Sequence, residues 1–308
     1  MSAGSPPPAV RLSVLDQSIA TAGRPHGAAI RNTLALAAEC ERLGYDRFWV
    51  SEHYSNETIV GTAPEVLIAA IAATTTRIRV GAAGVMLPHY APFKVAEQFR
   101  VLDAIAPGRI DLGLGRAPGS DGRTAFALNP AASERPARFP NDVRDLAAWV
   151  HGEPLAEGHP FAAVRAYPRG ETAPEIWILG SSDYGAQVAA HFGLPYAFAS
   201  HFAPAALDRA LALYRREFQP SARLDKPYVI AAINVIAADS DEEAALLGSS
   251  MDQAFVALRT GTPGRLKPPV EGYRESLPPQ ALAMLESFRE ASAVGAPAQT
   301  QRLGEMAR

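Results

Sequence analysis

Short, nearly uninterrupted apolar runs recur along this chain at an almost constant interval, with helical stretches between them. Runs read as strands begin at residues 11, 47, 78 and 109, so successive starts lie 36, 31 and 31 residues apart. That interval fits one strand plus one crossover helix. Segments such as FWVS, IWILG and YAFAS carry no polar alternation, which suits parallel strands covered on both faces. The strands expected are 11–15, 47–51, 78–86, 109–114, 175–179, 196–200 and 228–237. Helices are expected over 28–43, 63–76, 93–105, 141–151, 241–259 and 279–291. The second opens on Pro64-Glu65, where proline and negative charge both suit a first turn. The third places Phe93, Ala96, Phe99, Leu102 and Ile105 on one face before Pro107-Gly108 stops it.

Alternating strand and helix with about eight units implies an α/β fold, a (β/α)₈ TIM barrel, with a doubly wound sheet as the alternative. Residues 123–173 break the rhythm and read as an insertion on the barrel mouth, with room for a short hairpin. Residues 1–9, MSAGSPPPA, read as a disordered tail without a signal-peptide core, and 10–308 as one domain. No eighth strand is legible after 228–237. The barrel is therefore expected to have a shortened C-terminal part and an incomplete last stave, closed by a rearranged segment or another subunit.

A net charge of −3 gives no electrostatic case for nucleic acid or an anionic membrane. No apolar run is long enough to span a bilayer. The single cysteine, Cys40, excludes an internal disulfide and reads as a buried core thiol, consistent with a cytoplasmic protein.

In parallel α/β folds ligands sit at the carboxyl ends of strands. The residues that follow the strands are Glu52-His53-Tyr54, Ala83-Gly84-Val85-Met86-Leu87, Gly115-Arg116, Gly180-Ser181-Ser182 and His201-Phe202. Ser181 and Ser182 before a helix suggest an anion site, since first-turn N–H groups are unpaired; the alternative is a simple cap. Arg116 would complement a phosphate or else make a surface ion pair. His53 suits acid–base work, or a structural hydrogen bond to a carbonyl. Gly113-x-Gly115-x-x-Pro118 resembles a dinucleotide fingerprint, but proline replaces its last glycine and no acidic strand end follows, so a Rossmann site is rejected. His53, His89 and His201 lie on separate loops, so no metal is expected. No GxSxG elbow or Walker loop occurs.

The segments SEHY, APEVLIA, RVGAAGVMLPHYAPFKVAEQF, PGRIDLGLGRAPGSD, WILGSSDYGAQVAA and GLPYAFASHF together resemble the luciferase-like monooxygenase family, related to the bacterial luciferase α subunit. The resemblance implies a flavin-dependent barrel enzyme that binds FMN at the strand ends and acts as a homodimer. It matches His53 to the family's active-site histidine, Ala83-Gly84 to an isoalloxazine-supporting turn that often carries a cis peptide, and Arg116, Ser181 and Ser182 to phosphate-side contacts. Tyr54 departs from the pattern, since many relatives have a second histidine there. The expected reaction is oxygenation of a small organic substrate with O₂ and reduced FMN from a separate flavin reductase. Met86, Leu87 and Phe202 are expected to line the substrate pocket. The alternatives are a deazaflavin-dependent dehydrogenase of the same fold and a non-catalytic flavin-binding paralogue.

Overall fold

A computed structural model describes residues 10–297. The expected tail, residues 1–9, lies outside the described residues. Seven parallel strands form one curled sheet in sequence order: β1 (Ser13–Asp16), β2 (Arg47–Val50), β3 (Arg79–Met86), β4 (Ile110–Gly115), β5 (Glu175–Gly180), β6 (Tyr196–Phe198) and β7 (Val229–Ala231). Sequential order with every neighbour parallel is the barrel topology, so the doubly wound alternative fails. The helices between them are α1 (His26–Leu43), α2 (Pro64–Thr74), α3 (Pro92–Ile105), α4 (Gly122–Leu128), α5 (Phe139–His151), α6 (Asp183–Phe192) and α7 (Leu207–Glu217).

The expected strand 228–237 is broken in two. Its first part is β7, paired with β6; its second part, β8 (Asn234–Ala237), leaves the sheet and pairs in parallel with β9 (Ser292–Gly295). The eighth stave that the sequence hid is therefore β9, reached through α8 (Asp241–Arg259) and α9 (Pro279–Arg289). Among the described residues no ladder joins β9 to β1, so the barrel is not fully closed. The segment after α8 is instead tied to the loop after β1. Leu266 N–H donates to Ala20 C=O at 2.9 Å and Ala22 N–H donates to Leu266 C=O at 2.8 Å.

The expected hairpin in 123–173 is absent. That stretch holds α4, a short helical turn and α5, followed by turns. Asp121 caps α4 by accepting from the N–H groups of Arg123 and Thr124.

Strand alternation sends two different sets of side chains to the two faces. Phe48, Val50, Val80, Ile110, Leu112, Ile176, Ile178 and Phe198 face the helices and form the main core. The opposite set fills the barrel. At its amino end Arg47 pairs with Asp111 at 3.1 Å and with Glu175 at 3.0 Å, and Arg79 also pairs with Asp111. Trp49 donates its indole N–H to Asp111 at 2.8 Å and meets Trp177 edge-on at 5.1 Å between centroids. Gly81 makes this layer possible, because a Cβ there would lie 2.6 Å from the Asp111 Cβ and 2.9 Å from the Trp49 nitrogen. Cys40 is buried within α1, and burial pushes its thiol pKa up. In α3 the expected face holds at Ala96, Phe99 and Leu102, but Ile105, the last residue of the helix, is 47% exposed.

Candidate active site

The carboxyl rim of the sheet is built from five successive strand ends, those of β2 to β6. On β3 the peptide Ala83–Gly84 is cis, and the β3–β4 register skips between Ala82 and Val85. Gly84 is buried against β4, where a Cβ would lie 2.7 Å from the Gly113 carbonyl oxygen. Ala83 packs beside the Trp49–Trp177 layer. The Ala83 side of this turn therefore forms a small-residue surface above the aromatic layer.

His53 follows β2 and is partly buried. Burial lowers its pKa, with a hydrogen bond to the Gly119 backbone acting in the opposite sense, so the imidazole is biased toward its neutral form. The loop after β4 links the rest of the rim. Gly119 has φ +60° and approaches both Met86 and the Glu52 carbonyl. Three residues earlier, Arg116 lays its guanidinium 3.8 Å from the centroid of the Tyr184 ring, at the start of α6. No carboxylate pairs with Arg116 among the described residues. One loop thus connects His53 and Met86 to Arg116 and the start of α6.

Ser182 occupies the N-cap position of α6, yet its side chain makes no capping hydrogen bond. The simple-cap reading therefore fails, and the first-turn N–H groups of a ten-residue helix keep their donor capacity beside Arg116. Asp183 in that turn is engaged by Arg209 at 3.0 Å. Tyr196 donates its hydroxyl to the Ser182 carbonyl at 3.1 Å, fixing the Ser181-Ser182 turn on β6.

Among the buried polar atoms without a protein partner are Ser51 Oγ, after β2, and His201 Nδ1, after β6. Such atoms are costly unless a ligand or water meets them. Ser51 does not stand out in the sequence, because its neighbours Glu52 and His53 carry the more obvious chemistry. Among the pocket residues, Met86 is partly buried at the rim and Phe202 is 55% exposed, with Arg259 at 5.9 Å from its ring centroid. Leu87 is corrected: it is 0% exposed inside the helix–sheet core, because the register shift between Ala82 and Val85 puts Val85, and two residues on Leu87, on the helix-facing side.

Behind His53, Glu52 is fully buried, and its Oε2 accepts the Met86 N–H at 2.6 Å. Its Oε1 meets the hydroxyls of Tyr54 and Tyr90, which also meet one another. Burial pushes the Glu52 carboxyl up to about 7. Tyr90 does not stand out in the sequence either; its partner lies 38 residues away.

The model of the luciferase-like monooxygenase family matches residues 10–301 of this chain. The chain belongs to that family. It is an oxidoreductase of the oxygen-incorporating kind. A luciferase-like monooxygenase of Escherichia coli K12 is 46% identical over 287 residues, covering 93% of this chain and 84% of that protein. The crystal structure of apo-MsnO8 superposes with a TM-score of 0.87 at 34% identity, covering 97% of this chain and 89% of that one. The FMN complex of the oxygenating constituent of 3,6-diketocamphane monooxygenase from Pseudomonas putida shares the fold, with a TM-score of 0.69 at 20% identity and coverage of 96% and 86%. Among the described residues of this monooxygenase, no helix is long and apolar enough to cross a membrane.

Proposed function

We propose that this monooxygenase uses reduced FMN and O₂ to oxygenate a small organic substrate at the carboxyl mouth of the barrel. The observation that carries the reading is the Arg116 guanidinium, with no carboxylate partner among the described residues, beside the uncapped start of α6. A cation and several free N–H donors at one point suit a phosphate monoester. Arg116, Ser181 and Ser182 would hold that phosphate, and Ala83-Gly84 would support the flat ring system. The orphaned Ser51 hydroxyl and His201 nitrogen favour a polar ligand in the mouth between them. When bound, the flavin supplies the oxygen-activating chemistry; the chain binds, orients and excludes water.

His53, biased toward the neutral imidazole, is suited to accept or return one proton near neutral pH. Met86 and Phe202 offer apolar surface to the substrate. Reduced flavin would come from a separate flavin reductase. A homodimer is favoured by apolar side chains exposed on the adjacent helices α2 and α3: Val66 at 63%, Val101 at 48% and Ile105 at 47%. The lone buried thiol suits a reducing cytoplasm.

Titration with FMN, reduced FMN and a reduced deazaflavin tests the assignment. Arg116→Ala is expected to weaken FMN binding by about 10- to 100-fold, the worth of a charge-assisted hydrogen bond. Ser181→Ala should weaken it less, and His53→Ala should bind normally but turn over slowly. Equal affinity in wild type and Arg116→Ala would overturn the phosphate assignment. Tighter binding of the deazaflavin, or product oxygen not drawn from labelled O₂, would overturn the reaction.

A further inference from the structure

Three oxygens meet in a closed triangle behind the rim: Glu52 Oε1, the Tyr54 hydroxyl and the Tyr90 hydroxyl, each in hydrogen-bond contact with the other two. Three such contacts need three hydrogens. Two phenols bring two. With an ionised carboxylate, one edge of the triangle would press two oxygen lone pairs together with no hydrogen between them. Glu52 is 0% exposed, so bulk water does not reach that edge.

We propose that Glu52 is carried as the neutral acid and closes this triangle, latching the end of β2, which bears His53, to the end of β3, which bears Met86. The second carboxyl oxygen completes the latch by accepting the Met86 N–H at 2.6 Å. Each oxygen of the triangle then donates once and accepts once. Tyr54 supplies a hydroxyl that can both give and take.

The surroundings agree. No arginine or lysine pairs with Glu52 among the described residues. Arg135, near this cluster, directs its Nη2 to the Tyr90 carbonyl at 2.6 Å and to Asp142 at 3.6 Å, not to Glu52. Glu65, on α2, adds negative potential that disfavours a second anion, and its own Oε1 accepts from Gln98 at 3.4 Å. His89 stands edge-on to Tyr54 at 5.8 Å and to Tyr90 at 6.4 Å, with its Nε2 committed to the Pro118 carbonyl at 2.6 Å. His53 lies next in the chain and is itself biased to the neutral form. Burial raises the Glu52 carboxyl and also lifts the Tyr90 phenol well above its ordinary range, so both keep their protons at mildly acidic pH.

Glu52 is thereby a positioning residue, and the latch needs no cofactor to form. Infrared difference spectroscopy of the cofactor-free protein, wild type against Glu52→Gln, tests its protonation directly. The carbonyl stretch of a protonated carboxyl should be present in the wild type at pH ~6, lost at pH ~9, and absent from Glu52→Gln throughout. No such band at pH ~6 would mean an ionised Glu52 and would overturn the proposal. Amide exchange at Met86 tests the latch. Glu52→Gln, whose carbonyl still accepts and whose amide still donates, should exchange within about twofold of wild type, whereas Glu52→Leu should exchange roughly five- to tenfold faster. Exchange in Glu52→Leu at the wild-type rate would show that nothing is latched. If Glu52→Leu does not fold, a large acceleration in Glu52→Gln refutes the latch in its place.

Discussion

The protonation of Glu52 has a thermodynamic consequence that can be worked out in advance. Its carboxyl titrates at about 7 in the folded chain against an ordinary 4.5. The folded state therefore holds one proton more than the unfolded state between those two values. Stability falls where the folded state binds the extra proton, at about 1.4 kcal/mol per pH unit. Below pH ~4.5 both states are protonated and nothing is lost; above pH ~7 both are ionised and the loss is complete. Across that window the carboxyl should cost about 3 kcal/mol. Other groups titrate in the same range, so wild type alone does not isolate it. Glu52→Gln does, because glutamine is neutral throughout. Urea unfolding at fixed ionic strength, repeated at several pH values, gives the difference in unfolding free energy between the two proteins. That difference, wild type minus variant, should fall by about 3 kcal/mol from pH ~4.5 to ~7 and then stay flat, with equal m-values. A difference that is flat over the window, or that rises, would refute the burial argument.

Two other substitutions probe the barrel interior. Asp111→Asn keeps the acceptor for Trp49 but removes the charge between Arg47 and Arg79, and should cost about 3–5 kcal/mol in denaturant unfolding; a loss below about 1 kcal/mol would show that Glu175 alone neutralises both arginines. Gly113→Ala would place a methyl onto the Ala82 carbonyl oxygen and 2.6 Å from Leu179, so β3 must shift against β4. It should lower stability by about 1–3 kcal/mol and weaken FMN binding, whereas Gly122→Ala, with nothing within 4 Å, should change neither; equal melting and binding for the two would count against the tight β3–β4 approach.

How much of the fold is legible in the sequence depends on how local each signal is. Six of the seven expected strands match observed strands closely, because FWV, IWIL and YAF are covered on both faces and need no distant partner to be recognised. Helix ends marked by Pro64 and by Pro107-Gly108 are legible for the same reason: the signal lies beside the element it starts or ends. The eighth stave is not legible. Ser-Ala-Val-Gly is four residues of small side chains, and only its pairing with Asn234–Ala237, 58 residues earlier at Asn234–Ser292, makes it a strand. The division of 228–237 into β7 and β8 follows from that same pairing. At the mouth, lining up strand ends is enough to put His53, Arg116, Ser181 and Ser182 on one rim. It does not reveal that Ser182 leaves α6 uncapped, or that Tyr90 reaches Glu52, since both depend on side-chain directions across separate units. Leu87 fails as a pocket residue because the register shift between Ala82 and Val85 changes which face the following residues take.

The same alternation also explains why chemistry belongs at one end of this barrel. Inward positions near the strand starts are Arg47, Arg79, Asp111 and Glu175, and they neutralise one another at hydrogen-bond distance. The next layer is aromatic, Trp49 against Trp177, with Arg47 also stacked 5.2 Å from the Trp177 centroid. Above it the inward and rim positions become small: Ala83, Gly113, Gly115 and Ala197. A ligand entering from the amino end would have to separate paired charges from one another before reaching anything apolar, at a cost of several kcal/mol. From the carboxyl end it meets small side chains, an aromatic floor, an arginine without a carboxylate partner among the described residues and two unsatisfied polar atoms. The contacts proposed for the flavin, Ala83-Gly84 for its ring and Arg116 with α6 for its phosphate, would therefore lie at the end of the barrel where entry costs least.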